Sequence, residues 1–99
     1  MITSKKQDGS TLTVSLDGRL DTLTAPQLET DLEPLLGGIE SLVLDFGNIA
    51  YISSAGLRVL LSTQKKMIAA GGTLTIANAV PAVREVFDIT GFSDILTLA

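Results

Sequence analysis

The chain has 99 residues, no cysteine and no histidine, an apolar fraction of 45%, and 7 basic against 11 acidic side chains for a net charge of −4. Those absences exclude disulfides, thiolate or imidazole metal sites, a Ser-His-Asp triad and the commonest general base, and so most hydrolase chemistry. The length predicts one domain with an ordinary core, the acidic balance argues against nucleic acid as partner, and no apolar run reaches the roughly 18 residues of a membrane helix.

Polar residues from Thr3 to Ser10 leave no room for an apolar signal core. The expectation is a soluble cytoplasmic domain without direct membrane insertion. Met1 to Lys6 predicts a first strand, and Asp8-Gly9 a hairpin turn. Thr11 to Leu16 alternates strictly, with Leu12, Val14 and Leu16 towards a core. Asp17 to Asp21 reads as a loop or a short extension of that strand.

Thr24-Ala25-Pro26-Gln27 is a helix start, with Thr24 as cap, Gln27 in capping-box position and Pro26 in the first turn. Leu28, Leu32, Leu35 and Leu36 keep helical spacing, and Pro34 predicts a kink or an early end. Ser41 to Phe46 is a short apolar run that suits a central parallel strand buried on both faces. Gly47 to Ile52 then reads as its connection to Ser53-Ser54.

From Ala55 to Ala70 the helical period is clear. Leu57, Leu60, Leu61 and Ile68 make one stripe, and Arg58, Ser62, Lys65 and Lys66 another. Gly71-Gly72 marks the C-cap. Thr73 to Ala77 alternates as a strand. A last helix begins at Asn78 or Val80 with Pro81 in its first turn, aims Val83, Val86, Phe87 and Ile89 at the core, and stops at Gly91. Ile95 to Leu98 closes as a strand. The order β-β-α-β-α-β-α-β predicts an α/β fold: a mixed, mostly parallel sheet of about five strands with about three helices, as one domain over residues 1–99.

Ser53 and Ser54 are the candidate site. The plain reading is a helix cap worth roughly 1 kcal/mol. The functional reading is phosphorylation, because a helix start offers free N–H groups and a positive dipole end. Neither serine has Glu or Gln three residues on; Gly56 and Leu57 stand there. Gly56 also predicts a bare first turn that another chain can approach. For Asp17, Asp21, Asp45 and Asn48, turn and cap hydrogen bonds outweigh a Mg²⁺ site, and no phosphate-loop pattern surrounds Gly18-Arg19. No cofactor is expected.

The segment Tyr51-Ile52-Ser53-Ser54-Ala55-Gly56-Leu57, continued by Arg58-Val59-Leu60-Leu61, resembles the signature of STAS domains, in particular bacterial anti-sigma factor antagonists. Gly18-Arg19-Leu20-Asp21, Leu42 to Phe46, Gly71 to Leu74 and Val83 to Gly91 resemble further family segments in the same order, so the resemblance spans nearly the whole chain. It implies a STAS-like fold and a binding module rather than an enzyme. In its unphosphorylated form the module binds an anti-sigma factor serine kinase and frees sigma factor. Phosphorylation switches binding off and a serine phosphatase restores it. By the family's spacing the acceptor matches Ser54, with Ser53 as the secondary candidate, and Asp21, Asn48, Ser53, Gly56 and Arg58 are the expected partner contacts. A monomer or weak dimer is expected. The family commonly has Asp immediately before the acceptor, where this chain has Ser53. The alternative is a STAS scaffold subunit of a transporter or signalling complex that is never phosphorylated.

Overall fold

A computed structural model describes residues 1–99. Strands β1 (Ile2–Asp8) and β2 (Thr11–Leu20) form an antiparallel hairpin, turned at Gly9 with φ +62°. Helix α1 (Ala25–Leu32) follows, then strand β3 (Ser41–Ile52), helix α2 (Ser54–Ala69), strand β4 (Thr73–Ala77), helix α3 (Pro81–Thr90) and the short strand β5 (Thr97–Leu98). The sheet order is β1-β2-β3-β4-β5, with β2 through β5 parallel.

The strands step across the sheet in one direction. Right-handed crossovers that all step the same way place every helix on one face. Burial follows that rule. Leu12, Val14 and Leu16 of β2, Leu42, Leu44 and Phe46 of β3, and Leu74 and Ile76 of β4 are buried. Their alternates, Thr11, Thr13, Ser15, Ser41, Val43, Asp45, Thr73, Thr75 and Ala77, are half-buried or exposed. The central strand β3 is therefore parallel to both neighbours but buried on one face, not two. Polar alternation in the flanking strands carries this information, because an open face must be wettable.

Strand β3 does not end at Phe46. It continues to Ile52 through two register shifts against β2: Asp17 faces Asn48 where Ser15 faced Asp45, and Arg19 faces Tyr51 where Gly18 faced Ile49. Each shift places extra residues on β3, as a β-bulge does, and resets which residues point inward. Ile49 and Ile52, three apart, are both buried for this reason.

Helix α1 ends at Leu32 and tightens into a 3-10 turn over Glu33–Leu35, the early end that Pro34 predicts. The C-terminus of α2 is a Schellman cap: Gly72 N–H donates to Met67 O at 2.7 Å and Gly71 N–H to Ile68 O at 2.9 Å, with Gly71 at φ +80°. Its buried face is Leu57, Val59, Leu60, Thr63 and Met67, while Leu61 is half-buried and Ile68 is 62% exposed, against the predicted stripe. In α3, Val83 and Phe87 are buried and Phe87 packs on Phe46 with ring centroids 6.3 Å apart; Ile89 is 76% exposed and is not a core residue. The last strand covers only Thr97–Leu98, after a 3-10 turn over Phe92–Asp94.

Candidate functional site

The site forms where β2 and β3 end side by side. Leu20 pairs with Ile52, both are buried, and Ser53 N–H donates to Leu20 O at 2.9 Å. Two turns leave from this point, one into α1 and one into α2.

In the α2 turn the two serines divide the work. Ser53 is the N-cap, in extended conformation, and its Oγ accepts from Gly56 N–H at 3.4 Å, a long bond. Ser54 is the first helical residue and is exposed. Among the side-chain hydrogen bonds of the molecule, none involves its hydroxyl. The first turn of α2 holds no acidic residue.

Gly56 is buried. A Cβ there would meet Leu20 Cγ at 2.7 Å, Ile52 Cγ1 at 2.8 Å and Leu20 O at 3.0 Å. The close approach that glycine permits is therefore made by the protein's own core. This corrects the expectation of a bare turn open to another chain, and Gly56 is no surface contact. Its role is to let α2 start hard against the ends of β2 and β3.

In the α1 turn, the Asp21 carboxylate and the Thr24 hydroxyl organise the backbone together. Asp21 Oδ1 accepts from Leu23 N–H at 3.0 Å and Thr24 N–H at 3.1 Å. Thr24 Oγ1 accepts from Asp21 N–H at 2.9 Å and donates to Arg19 O at 2.6 Å. The predicted capping box does not form: Thr24 makes no cap bond, and Gln27 Nε2 donates to Asp31 Oδ1. Within hydrogen-bond reach of its own turn, a carboxylate outcompetes the local cap. The Thr24 N–H, then that of Leu23, hold the Asp21 carboxyl below the ordinary range; partial burial opposes them, and the Thr24 hydroxyl and the Arg19 charge add to them.

This wiring holds Leu23 86% exposed, the most exposed large apolar side chain of the chain. Beside it, the Arg19 guanidinium stacks 4.3 Å from the Tyr51 ring centroid, and Arg19 Nε lies 3.9 Å from Asp21 Oδ2. Sequence reasoning missed Leu23, Arg19 and Tyr51 as a group. The signal was the parallel pairing of Arg19 with Tyr51, which needs the bulged register.

Arg58 lies one turn beyond Ser54 on α2, exposed and outside both ion pairs of the molecule. With Ala25, Pro26 and Glu29 of α1 and with Ala55, Val59 and Ser62 it lines a shallow cleft of about 380 Å³. Asn48 is exposed opposite Asp17, four residues before Ile52, so roughly 13 Å down the strand from the point where β3 ends. Asp45 is engaged locally: its Oδ1 accepts from Gly47 N–H at 2.9 Å and from Asn78 Nδ2 at 3.2 Å. The structure thus brings Asp21, Ser53, Ser54 and Arg58 to one end of the sheet and leaves Asn48 lower on it.

A mixed, mostly parallel sheet with all helices on one face, and a serine pair at the β3–α2 junction, define the class. Residues 2–99 match the STAS domain, and the chain belongs to that family. Two relatives carry the name of anti-sigma factor antagonists. BtrV of Bordetella bronchiseptica, named as one, is 41% identical over 99 residues, covering 99% of this chain and 84% of BtrV. The anti-sigma-B factor antagonist of Bacillus subtilis is 32% identical over 94 residues, covering 95% and 86%. The unphosphorylated form of the anti-sigma factor antagonist SpoIIAA has the same fold, with a TM-score of 0.82 at 21% identity over 97% of this chain and 86% of that one.

Proposed function

We propose that this protein is an anti-sigma factor antagonist of the cytoplasm with a phosphorylation switch at Ser54. The unmodified protein binds an anti-sigma factor serine kinase and so frees sigma factor. Phosphate on Ser54 ends the binding, and a serine phosphatase resets it. The protein performs no catalysis of its own.

The observation that carries this reading is the split between the serines. Ser53 serves the cap, so Ser54 is exposed and free to react without loss of the helix start. The named relatives support the partner class. A dianion added at a close interface repels and desolvates, at a cost of a few kcal/mol, and each 1.4 kcal/mol is about tenfold in affinity. Ser53 beside the acceptor and Arg58 one turn on are its partner contacts, and the exposed Leu23 of the α1 turn is a further apolar one. Asp21 acts through the turn that presents Leu23, and Asn48 is reached only by a partner whose footprint runs down β2 and β3.

Incubation with the cognate kinase and ATP tests the acceptor. One phosphate, mapped to Ser54 by mass spectrometry and absent from Ser54→Ala, is the expected result. Phosphate on Ser53, or none, overturns it.

A further inference from the structure

Arg58 has no ionic partner in this protein. The two ion pairs are Arg19–Asp21 and Lys66–Glu33, and although Glu29 lines the same cleft as Arg58, the two do not pair. Its position is also unfavourable. It sits one turn from the helix start, the positive end of the dipole, in a helix whose first turn has no acidic residue. A cation is therefore held near an uncompensated positive pole in a chain of net charge −4.

Ser54 and Arg58 are four apart on a 16-residue helix, both exposed. Side chains at that spacing share a face, about 5–6 Å apart at Cβ. Helical side chains tilt towards the N-terminus, so Arg58 leans back over the turn that carries Ser54. An anion N-terminal to its cation is also the favoured order for such a pair.

We propose that Arg58 is the intramolecular counter-ion of a phosphate on Ser54, and that phosphorylation draws its guanidinium out of the α1–α2 cleft and back over the first turn of α2. This rests on Ser54 being the acceptor. The guanidinium fork matches phosphate oxygens, which a lysine ammonium matches less well. Phosphorylation then changes the surface twice: it adds a dianion at Ser54 and removes a free cation from the cleft beside it.

The test installs phosphoserine at position 54 by genetic encoding, so that it needs no kinase. Phosphorus-31 NMR follows the second ionisation of the phosphate, near pH 6. A neighbouring cation favours the dianion, so the wild-type midpoint lies below that of Arg58→Ala by about 0.3 pH units or more. Arg58→Lys falls between them, and added salt shrinks the difference. Coincident titrations of the wild type and Arg58→Ala overturn the proposal. Failure of a kinase to modify Ser54 would overturn the acceptor assignment instead, and would leave this titration unchanged.

Discussion

The backbone N–H of Ser53 donates to the carbonyl oxygen of Leu20 at 2.9 Å, and this bond joins the two halves of the site. It locks the end of β3 to the end of β2 at the point where each strand gives way to a helix. Leu20 and Ile52, paired beneath it, form the floor on which Gly56 rests. Burying two such side chains contributes about 1.5–3 kcal/mol each. The exposed serine therefore stands two residues from a point where α2 meets the core with no room for a further methyl group.

That packing makes Gly56 sensitive. Gly56→Ala places a methyl group within 3 Å of Leu20 and Ile52. We expect a loss of about 1–3 kcal/mol in urea unfolding, from overpacking against backbone and core. A neutral or stabilising result, as alanine gives at an open helical position, would show that the floor yields.

The serines should separate in the same assay. Ser53→Ala removes the cap and costs about 0.5–1 kcal/mol, at the low end because the bond is long. Ser54→Ala changes stability by less than about 0.5 kcal/mol, since the hydroxyl caps nothing and alanine is a good helix former. The reverse order would assign the cap to the wrong residue.

Asp21 should give the site an acid limit. Its carboxyl is held below the ordinary value of 3.8 by the N–H groups of Thr24 and Leu23. A depressed folded value means that the stabilisation is fully present above the unfolded value and is lost as pH falls through the folded one. The gap in urea midpoint between the wild type and Asp21→Ala is therefore greatest near neutral pH and narrows as pH falls below about 4. A gap that is constant from neutral to acid pH would place the effect of Asp21 outside its charge.

Leu23 tests the interaction surface without touching the core. It is exposed, and its turn is wired by Asp21 and Thr24 rather than by its own side chain. Leu23→Ala should leave thermal stability within about 0.5 kcal/mol and weaken binding to the cognate anti-sigma factor by about tenfold. Unchanged affinity would remove Leu23 from the interface.

Much of the fold was legible because its signals are local. Alternation in Thr11 to Leu16 and in Thr73 to Ala77 gives the strands and, read with the topology, the open sheet face. Pro34 and the Gly71-Gly72 pair mark element ends through backbone constraints that need no partner. The length of β3 was hidden because two bulges break its alternation, and bulges are set by the neighbouring strand. Ile68 and Ile89 misled because one residue past Met67, or two past Phe87, turns a helical side chain out of the core. At the site, the helix start at Ser53-Ser54 was legible. Their division of labour was not, nor was the buried place of Gly56. Both depend on Leu20, which arrives from a strand more than thirty residues earlier in the chain.

On the proposed reading, phosphate on Ser54 controls binding to an anti-sigma factor. The direct measurement is calorimetric titration of the cognate anti-sigma factor with unmodified protein and with protein carrying phosphoserine at position 54. The unmodified protein is expected to bind at least about a hundredfold more tightly, since a dianion in the contact costs a few kcal/mol. Equal affinities for the two forms would contradict it, and would favour a scaffold whose binding does not depend on phosphorylation.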